Sequence, residues 1–128
     1  MKISEINNQH TLIKGNFKSL GKFNFKGVYI ICDEADEIVY IGSAYARDIS
    51  IRLNQYIKVN DTGNSLGRTI AKTLANASTY DDIAKTKILD AVEQIKSFTI
   101  YAIKHEDLEY QLIKKTSPKY NNCGKEED

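Results

Sequence analysis

Gly27-Val28-Tyr29-Ile30-Ile31-Cys32 and Glu37-Ile38-Val39-Tyr40-Ile41-Gly42, joined by Asp33-Glu34-Ala35-Asp36, decide how this chain folds. Both flanks are dense in β-branched and aromatic residues and the connection is short and polar, which predicts a β-hairpin over about residues 26–42. With Cys32 opposite Glu37 as the last rung, Tyr29 falls directly across from Tyr40, on one face, with Cβ atoms roughly 5 Å apart. A slip of one residue would send the two phenols to opposite faces. Apolar side chains occupy both faces: Val28, Ile30, Val39 and Ile41 on one, Ile31 and Ile38 on the other. A sheet buried on both faces needs cover on both. The expected fold is therefore α+β, a small α/β/α sandwich on a three-stranded, largely antiparallel sheet.

Working outward, Ile3, Ile6, His10 and Ile13 have helical spacing and predict a short N-terminal helix, followed by a loop over Lys14–Phe25. Downstream, helices are expected over Ala46–Ile57, with Ile49, Leu53 and either Tyr56 or Ile57 inward, and around Leu66, Ile70 and Leu74. A third helix starts near Asp81 and Asp82 and buries Ile83, Ile88, Val92 and Ile95. Ser97–Ile103 alternates as a third strand, and Glu106–Lys115 reads as a last helix, stopped before Pro118. Residues 1–25 form a basic and aromatic lead-in, 26–123 the domain proper and 124–128 an acidic tail.

A chain of 128 residues suffices for one core. Its 41% hydrophobic and 27% charged residues are ordinary for a globular protein. No apolar run approaches the ~20 residues of a membrane span, and the N-terminus lacks a signal-peptide block. A cytoplasmic protein without membrane attachment is expected. Cys32 and Cys123 are far apart, as are His10 and His105, which argues against zinc or a redox pair. The net charge of +1 selects no partner, but Lys14, Lys18, Lys22 and Lys26 recur every four residues with Phe17, Phe23 and Phe25 among them. Such a segment either tracks a nucleic-acid strand, by phosphate attraction and stacking, or is a solvated loop whose phenylalanines enter the core.

Several residues can carry chemistry. Arg52 and Tyr56 share a helix face soon after Gly42, where the lack of a Cβ admits a backbone or ligand. An arginine beside two tyrosines either grips a phosphate through its forked donors or is a surface arginine. Glu109, at the edge of an apolar helix stripe, either holds one Mg²⁺ or faces solvent. Asn121, after Pro118 and Tyr120, suits a turn.

In order and spacing, Gly27-Val-Tyr29, Tyr40-Ile-Gly42, Arg52-Leu-x-x-Tyr56, and Leu108-Glu109-x-x-Leu-Ile-Lys with Pro118-x-Tyr-Asn121 resemble the GIY-YIG nucleases. The C-terminal block is similar to the nuclease domain of bacterial excision-repair nuclease subunits, and the resemblance covers roughly residues 27 to 121. It implies a Mg²⁺- (or Mn²⁺-) dependent DNA endonuclease acting in repair, recombination or mobile-element processing. By that resemblance Tyr29 activates or relays a proton from the attacking water, Tyr40 orients water and phosphate, and Arg52 neutralises charge on phosphorus. Glu109 holds the metal and Asn121 braces the site, with Gly42 and Tyr56 in support. A base role for Tyr29 requires its pKa to be lowered. Lys22, Lys26, Arg47 and Arg68 are the expected DNA contacts, Arg68 within an insert-like Thr62-Gly-Asn-Ser-Leu-Gly-Arg68.

Three departures stand out. Tyr56 replaces a frequent histidine, as the excision-repair branch tolerates. The stretch between Gly42 and Arg52 is about two residues longer than in that branch, which leaves Arg47 as a competitor for Arg52. There is no room for an appended recognition domain, so a protein partner is expected to supply specificity. The alternative function is a non-catalytic DNA-binding or protein-recruiting module on the same scaffold.

Overall fold

The computed structural model describes residues 1–6, 10–57, 66, 69–72, 85–104 and 108–121, with the side chains of all of these except 85–88 and 110. Among the described residues, β1 (Ile13–Asn16), β2 (Gly27–Cys32), β3 (Ile38–Ala44) and β4 (Thr99–Lys104) form one antiparallel sheet in the order β1-β4-β2-β3. Helices α1 (Ile49–Gln55), α2 (Lys85–Lys96) and α3 (Glu109–Thr116) accompany it, and residues 66 and 69–72 are also helical.

The sheet has four strands rather than the expected three. Ile13 to Asn16 pair with Ala102 to Thr99, so the start of the supposed loop is a strand. Among the described residues of the expected N-terminal helix, Ile3–Glu5 form a 3-10 turn and Ile13 opens β1. Ile13 shares a helical period with Ile3 and Ile6, but its own neighbours alternate between half-buried and exposed, and tertiary pairing with β4 decides the outcome. Phe17, Phe23 and Phe25 enter the core, while Lys14, Lys18, Lys22 and Lys26 stay exposed, so the stacking role considered for these aromatics is excluded.

The hairpin register also differs. Asp33 Oδ1 accepts hydrogen bonds from the N–H groups of Ala35 and Glu37, at 2.9 and 3.0 Å, and Asp36 adopts φ 60°. This turn sets Asp33, not Cys32, against Glu37, whose carbonyl accepts the Asp33 N–H at 3.0 Å. Cys32 then pairs with Ile38 and Ile31 with Tyr40, which leaves Val39 as the extra residue of a β-bulge. Tyr29 faces Gly42 rather than Tyr40. The bulge moves Val39 to the face of Tyr29 and Ile31 and puts Ile38 with Ile41, against the expected alternation. Because the displacement at Tyr29 is two residues, one full side-chain period, the phenols still share a face.

One face of the sheet carries Tyr29, Ile31, Val39, Ile100 and Ala102, covered by Ile49 and Leu53 of α1, by Leu66, Ile70 and Ala71, and by Ala91 and Ile95 of α2. The other carries Val28, Ile30, Ile41 and Ile103, covered by Leu112 and Ile113 of α3 and by Ile3 and Ile6. Each fully buried aliphatic side chain contributes roughly 1.5–3 kcal/mol, so the double-sided cover supplies most of the driving force. The α/β/α sandwich is as expected. The helices start later than their sequence limits: α1 at Ile49 rather than Ala46 and α3 at Glu109 rather than Glu106. Asp81, Asp82, Ile83 and Leu74 lie outside the described residues, as do most of Thr62–Arg68, Cys123 and the acidic tail.

Candidate active site

The α1 helix is fixed to the sheet at its first turn. Asp48 is extended (φ −64°, ψ 152°), and the Ile49 N–H, an orphan donor of the helix start, is taken by the Phe25 carbonyl at 2.9 Å. With Ile49 and Leu53 buried, Arg52 and Tyr56 come onto the phenol face of the hairpin.

Three phenols and one guanidinium meet there. The Tyr29 and Tyr56 hydroxyls hydrogen-bond at 2.5 Å in a buried position. Their rings lie edge to face at 6.1 Å, and Tyr40 meets Tyr56 in the same manner at 5.8 Å. The Arg52 guanidinium lies 5.0 Å over the Tyr56 ring, and its Nη1 donates to Gln55 Oε1 at 2.7 Å. Tyr56 is the hub of the group, in contact with Tyr29, Tyr40 and Arg52.

Both glycines of the two motifs have a local reason. Gly27 takes φ 154°, which an L side chain rarely adopts. At Gly42 the Tyr29 ring occupies the space of the missing side chain: a Cβ there would overlap Oη and Cζ and lie 2.7 Å from Cε2. The phenol is aimed by the absence of a side chain opposite it.

The electrostatics follow from this burial. Desolvation, then the charge of Tyr40, push the Tyr29 pKa well above the ordinary phenol value, while the hydrogen bond from Tyr56 and the charge and hydrogen bonding of Arg52 pull the other way and lose. Tyr56 is raised as well, first by burial and then by Tyr29 and Tyr40. Half-burial opposes the Arg52 charge, but the phenols outweigh it and its pKa moves up. In this state the site is two neutral buried phenols beside a firmly charged guanidinium. The lowering that a base role demands of Tyr29 is outweighed here by its burial.

Asn121 stands at the margin of the same site. Its Oδ1 accepts the Ile41 N–H at 2.9 Å and its Nδ2 donates to the Ile41 carbonyl at 2.8 Å, across 80 residues of sequence. The Tyr120 N–H donates to the Val39 carbonyl at 2.8 Å. The chain after Pro118 thus holds the outer edge of β3 on either side of Tyr40. Ser117, at φ 44°, ends α3 in a left-handed cap that turns the chain toward this edge.

Glu109, half-buried, opens α3, and that helix packs on the opposite face of the sheet. In the chain it follows β4, five residues after Lys104, which pairs with Gly27. A carboxylate in a first helical turn is favoured by the helix dipole. Among the described residues there is no group of three or more His, Cys, Asp or Glu arranged for a metal. A single carboxylate such as Glu109 suits an ion like Mg²⁺, which accepts one or two carboxylates and keeps its waters.

Arg47 is exposed in the β3–α1 loop, and Lys26 is exposed at the start of β2. The Lys22 Nζ donates to the Lys14 carbonyl at 2.7 Å, and Arg68 lies outside the described residues. Sequence reading missed Gln55, which orients Arg52, although its i+3 spacing from the arginine was a usable signal. It also missed a cavity of about 200 Å³ lined by Ser43–Arg47, Ile51, Arg52 and Gln55. Among the described residues no helix is long and apolar enough to cross a membrane.

Residues 25–121 match the family model of the GIY-YIG catalytic domain. Over 105 residues, the chain is 33% identical to the UvrABC system protein C of Finegoldia magna, covering 81% of this chain and 14% of that protein. The chain therefore spans about a seventh of the length of that curated relative. No solved structure matches it. The matched segment runs from the Phe25 carbonyl that anchors α1 to the Asn121 amide that holds β3, and on this match the chain belongs to the GIY-YIG catalytic domain family.

Proposed function

We propose that the protein is a Mg²⁺- or Mn²⁺-dependent DNA endonuclease that hydrolyses a phosphodiester bond, in repair, recombination or mobile-element processing. The family and the relative support a nuclease-type function. The observation that carries the finer reading is the meeting of Tyr29, Tyr40 and Tyr56 with Arg52 at one end of the sheet. Arg52, charged and oriented by Gln55, neutralises the charge that grows on phosphorus. Tyr29, held neutral by burial, donates a hydrogen bond or relays a proton. Serving as base requires its pKa to fall toward the working pH, a direction in which Tyr56 and Arg52 already act. Tyr40 orients water and phosphate, and Asn121 keeps Tyr40 and Gly42 in place through Ile41.

Glu109 would hold the divalent ion, which when bound polarises the phosphate and assists the leaving oxygen. Lys22, Lys26, Arg47 and Arg68 attract the DNA backbone, and a protein partner supplies specificity in a cytoplasmic setting. The test is cleavage of supercoiled and branched DNA with Mg²⁺, with Mn²⁺ and with chelator. Wild type is expected to cut only with metal. Glu109→Ala should not cut, and Arg52→Ala should cut about 100- to 1,000-fold more slowly, the range for loss of one charge-stabilising donor. Near-normal cutting by Arg52→Ala with loss in Arg47→Ala would move the arginine role. Binding without cutting in every metal would instead identify a non-catalytic DNA-binding module.

A further inference from the structure

We infer that the cavity beside the phenol cluster is a pocket for one unpaired base of the bound DNA strand, with Tyr45 as its stacking surface. This rests on the reading that the protein acts on DNA. Arg52 belongs both to the phenol cluster and to the cavity wall, so whatever fills the cavity is a direct neighbour of the group held by Arg52. The walls combine what a nucleotide requires. Tyr45 and Ile51 are large apolar side chains that remain 42% and 45% exposed, on the β3–α1 loop and on α1. Arg47 and Arg52 supply positive charge for the flanking phosphates, and Ser43 and Gln55 supply polar edges.

The size discriminates further. At about 200 Å³ the cavity is smaller than the roughly 300–1,000 Å³ of clefts for drug-sized ligands, and it suits a single ring system. Exposed apolar side chains between two arginines favour a flat aromatic group on an anionic chain over a free phosphate or an apolar peptide. A base stacked in a duplex enters such a pocket only by being flipped out, at a cost of a few kcal/mol, so a base already unpaired or displaced next to the cut phosphate is the favoured occupant. The consequence is a preference for strands with a gap, flap or bubble, set by the catalytic domain itself.

The test measures binding rather than cleavage. Fluorescence anisotropy with labelled single-stranded, flap and fully paired oligonucleotides is recorded in chelator for wild type, Tyr45→Ala and Tyr45→Phe. A second series moves one abasic nucleotide along the unpaired strand. Wild type is expected to prefer the unpaired substrates. Tyr45→Ala is expected to weaken that binding about 5- to 30-fold, equivalent to ~1–2 kcal/mol at 1.4 kcal/mol per tenfold, while Tyr45→Phe restores it. One abasic position should weaken wild type by the same factor and Tyr45→Ala hardly at all, since both remove the same stack. DNA binding by wild type with Tyr45→Ala unchanged, or with additive losses at every abasic position, overturns the pocket and leaves the nuclease reading intact. Absence of binding to any oligonucleotide overturns both.

Discussion

Replacing Gly42 by alanine tests the packing that aims Tyr29. The added Cβ would overlap Oη and Cζ of a ring that is 1% exposed and bonded through its hydroxyl to Tyr56. Forced overpacking costs about 1–3 kcal/mol. A ring that swings away also gives up its hydrogen bond with Tyr56, at about 0.5–1.5 kcal/mol. Alanine recovers roughly 0.5–1 kcal/mol of backbone entropy in a strand. The net expectation is a loss of about 0.5–4 kcal/mol, centred near about 2, which lowers the urea midpoint by about 1 M at the slopes usual for small domains. Gly21→Ala is the control, because a Cβ there meets nothing within 4 Å. Urea denaturation followed by far-UV circular dichroism gives both values. A Gly42→Ala midpoint equal to that of wild type, or to that of Gly21→Ala, would refute the close approach of ring and strand.

Asn121→Ala removes both hydrogen bonds to Ile41 at a 5% exposed position and is expected to cost about 2–4 kcal/mol; a loss below about 0.5 kcal/mol in urea denaturation would show that the edge does not depend on it. Tyr29→Phe is expected to cost only about 1–3 kcal/mol of stability while slowing cleavage at least about 100-fold, and turnover within threefold of wild type would remove the hydroxyl from the reaction. Alkaline pH should unfold the protein. Tyr29 and Tyr56 have folded pKa values above the unfolded phenol value, so the native state keeps protons that the unfolded chain releases, and stability falls as pH rises above about 10, by up to about 1.4 kcal/mol per unit for each. Cys32, pushed up to about 12 by burial and then by Asp36, adds the same sign from about pH 9 upward. Urea midpoints that stay level from pH 9 to 11 would contradict this.

The hairpin was legible in the sequence because its two flanks are strand formers around a polar turn, and both faces being apolar was enough to demand a sandwich. Its register was not legible. Asp36 in a left-handed conformation and the bulge at Val39 shift the pairing by two residues, and neither leaves a periodic trace. The shared face of the phenols survived because two residues is a whole side-chain period. The shared helix face of Arg52 and Tyr56 was legible from their i,i+4 spacing, whereas the rise in the Tyr29 pKa depends on burial that no local pattern encodes. The β1 strand was misread because four residues of alternation are too few to outweigh an isoleucine series at helical spacing.

The bidentate grip of Asn121 on Ile41 has a consequence for solution behaviour. In the order β1-β4-β2-β3 the sheet ends in β1 and β3, and open edges invite strands from other molecules. β1 is four residues long and carries an exposed lysine, Lys14, which discourages intermolecular pairing. β3, seven residues long and mostly apolar, is shielded by Tyr120 and Asn121 occupying its outer groups. A chain cut before Pro118 would uncover this edge at Val39 and Ile41, with Ile38 still bonded to the Met1 carbonyl, so the two residues that brace β3 also block it as a template for end-to-end aggregation.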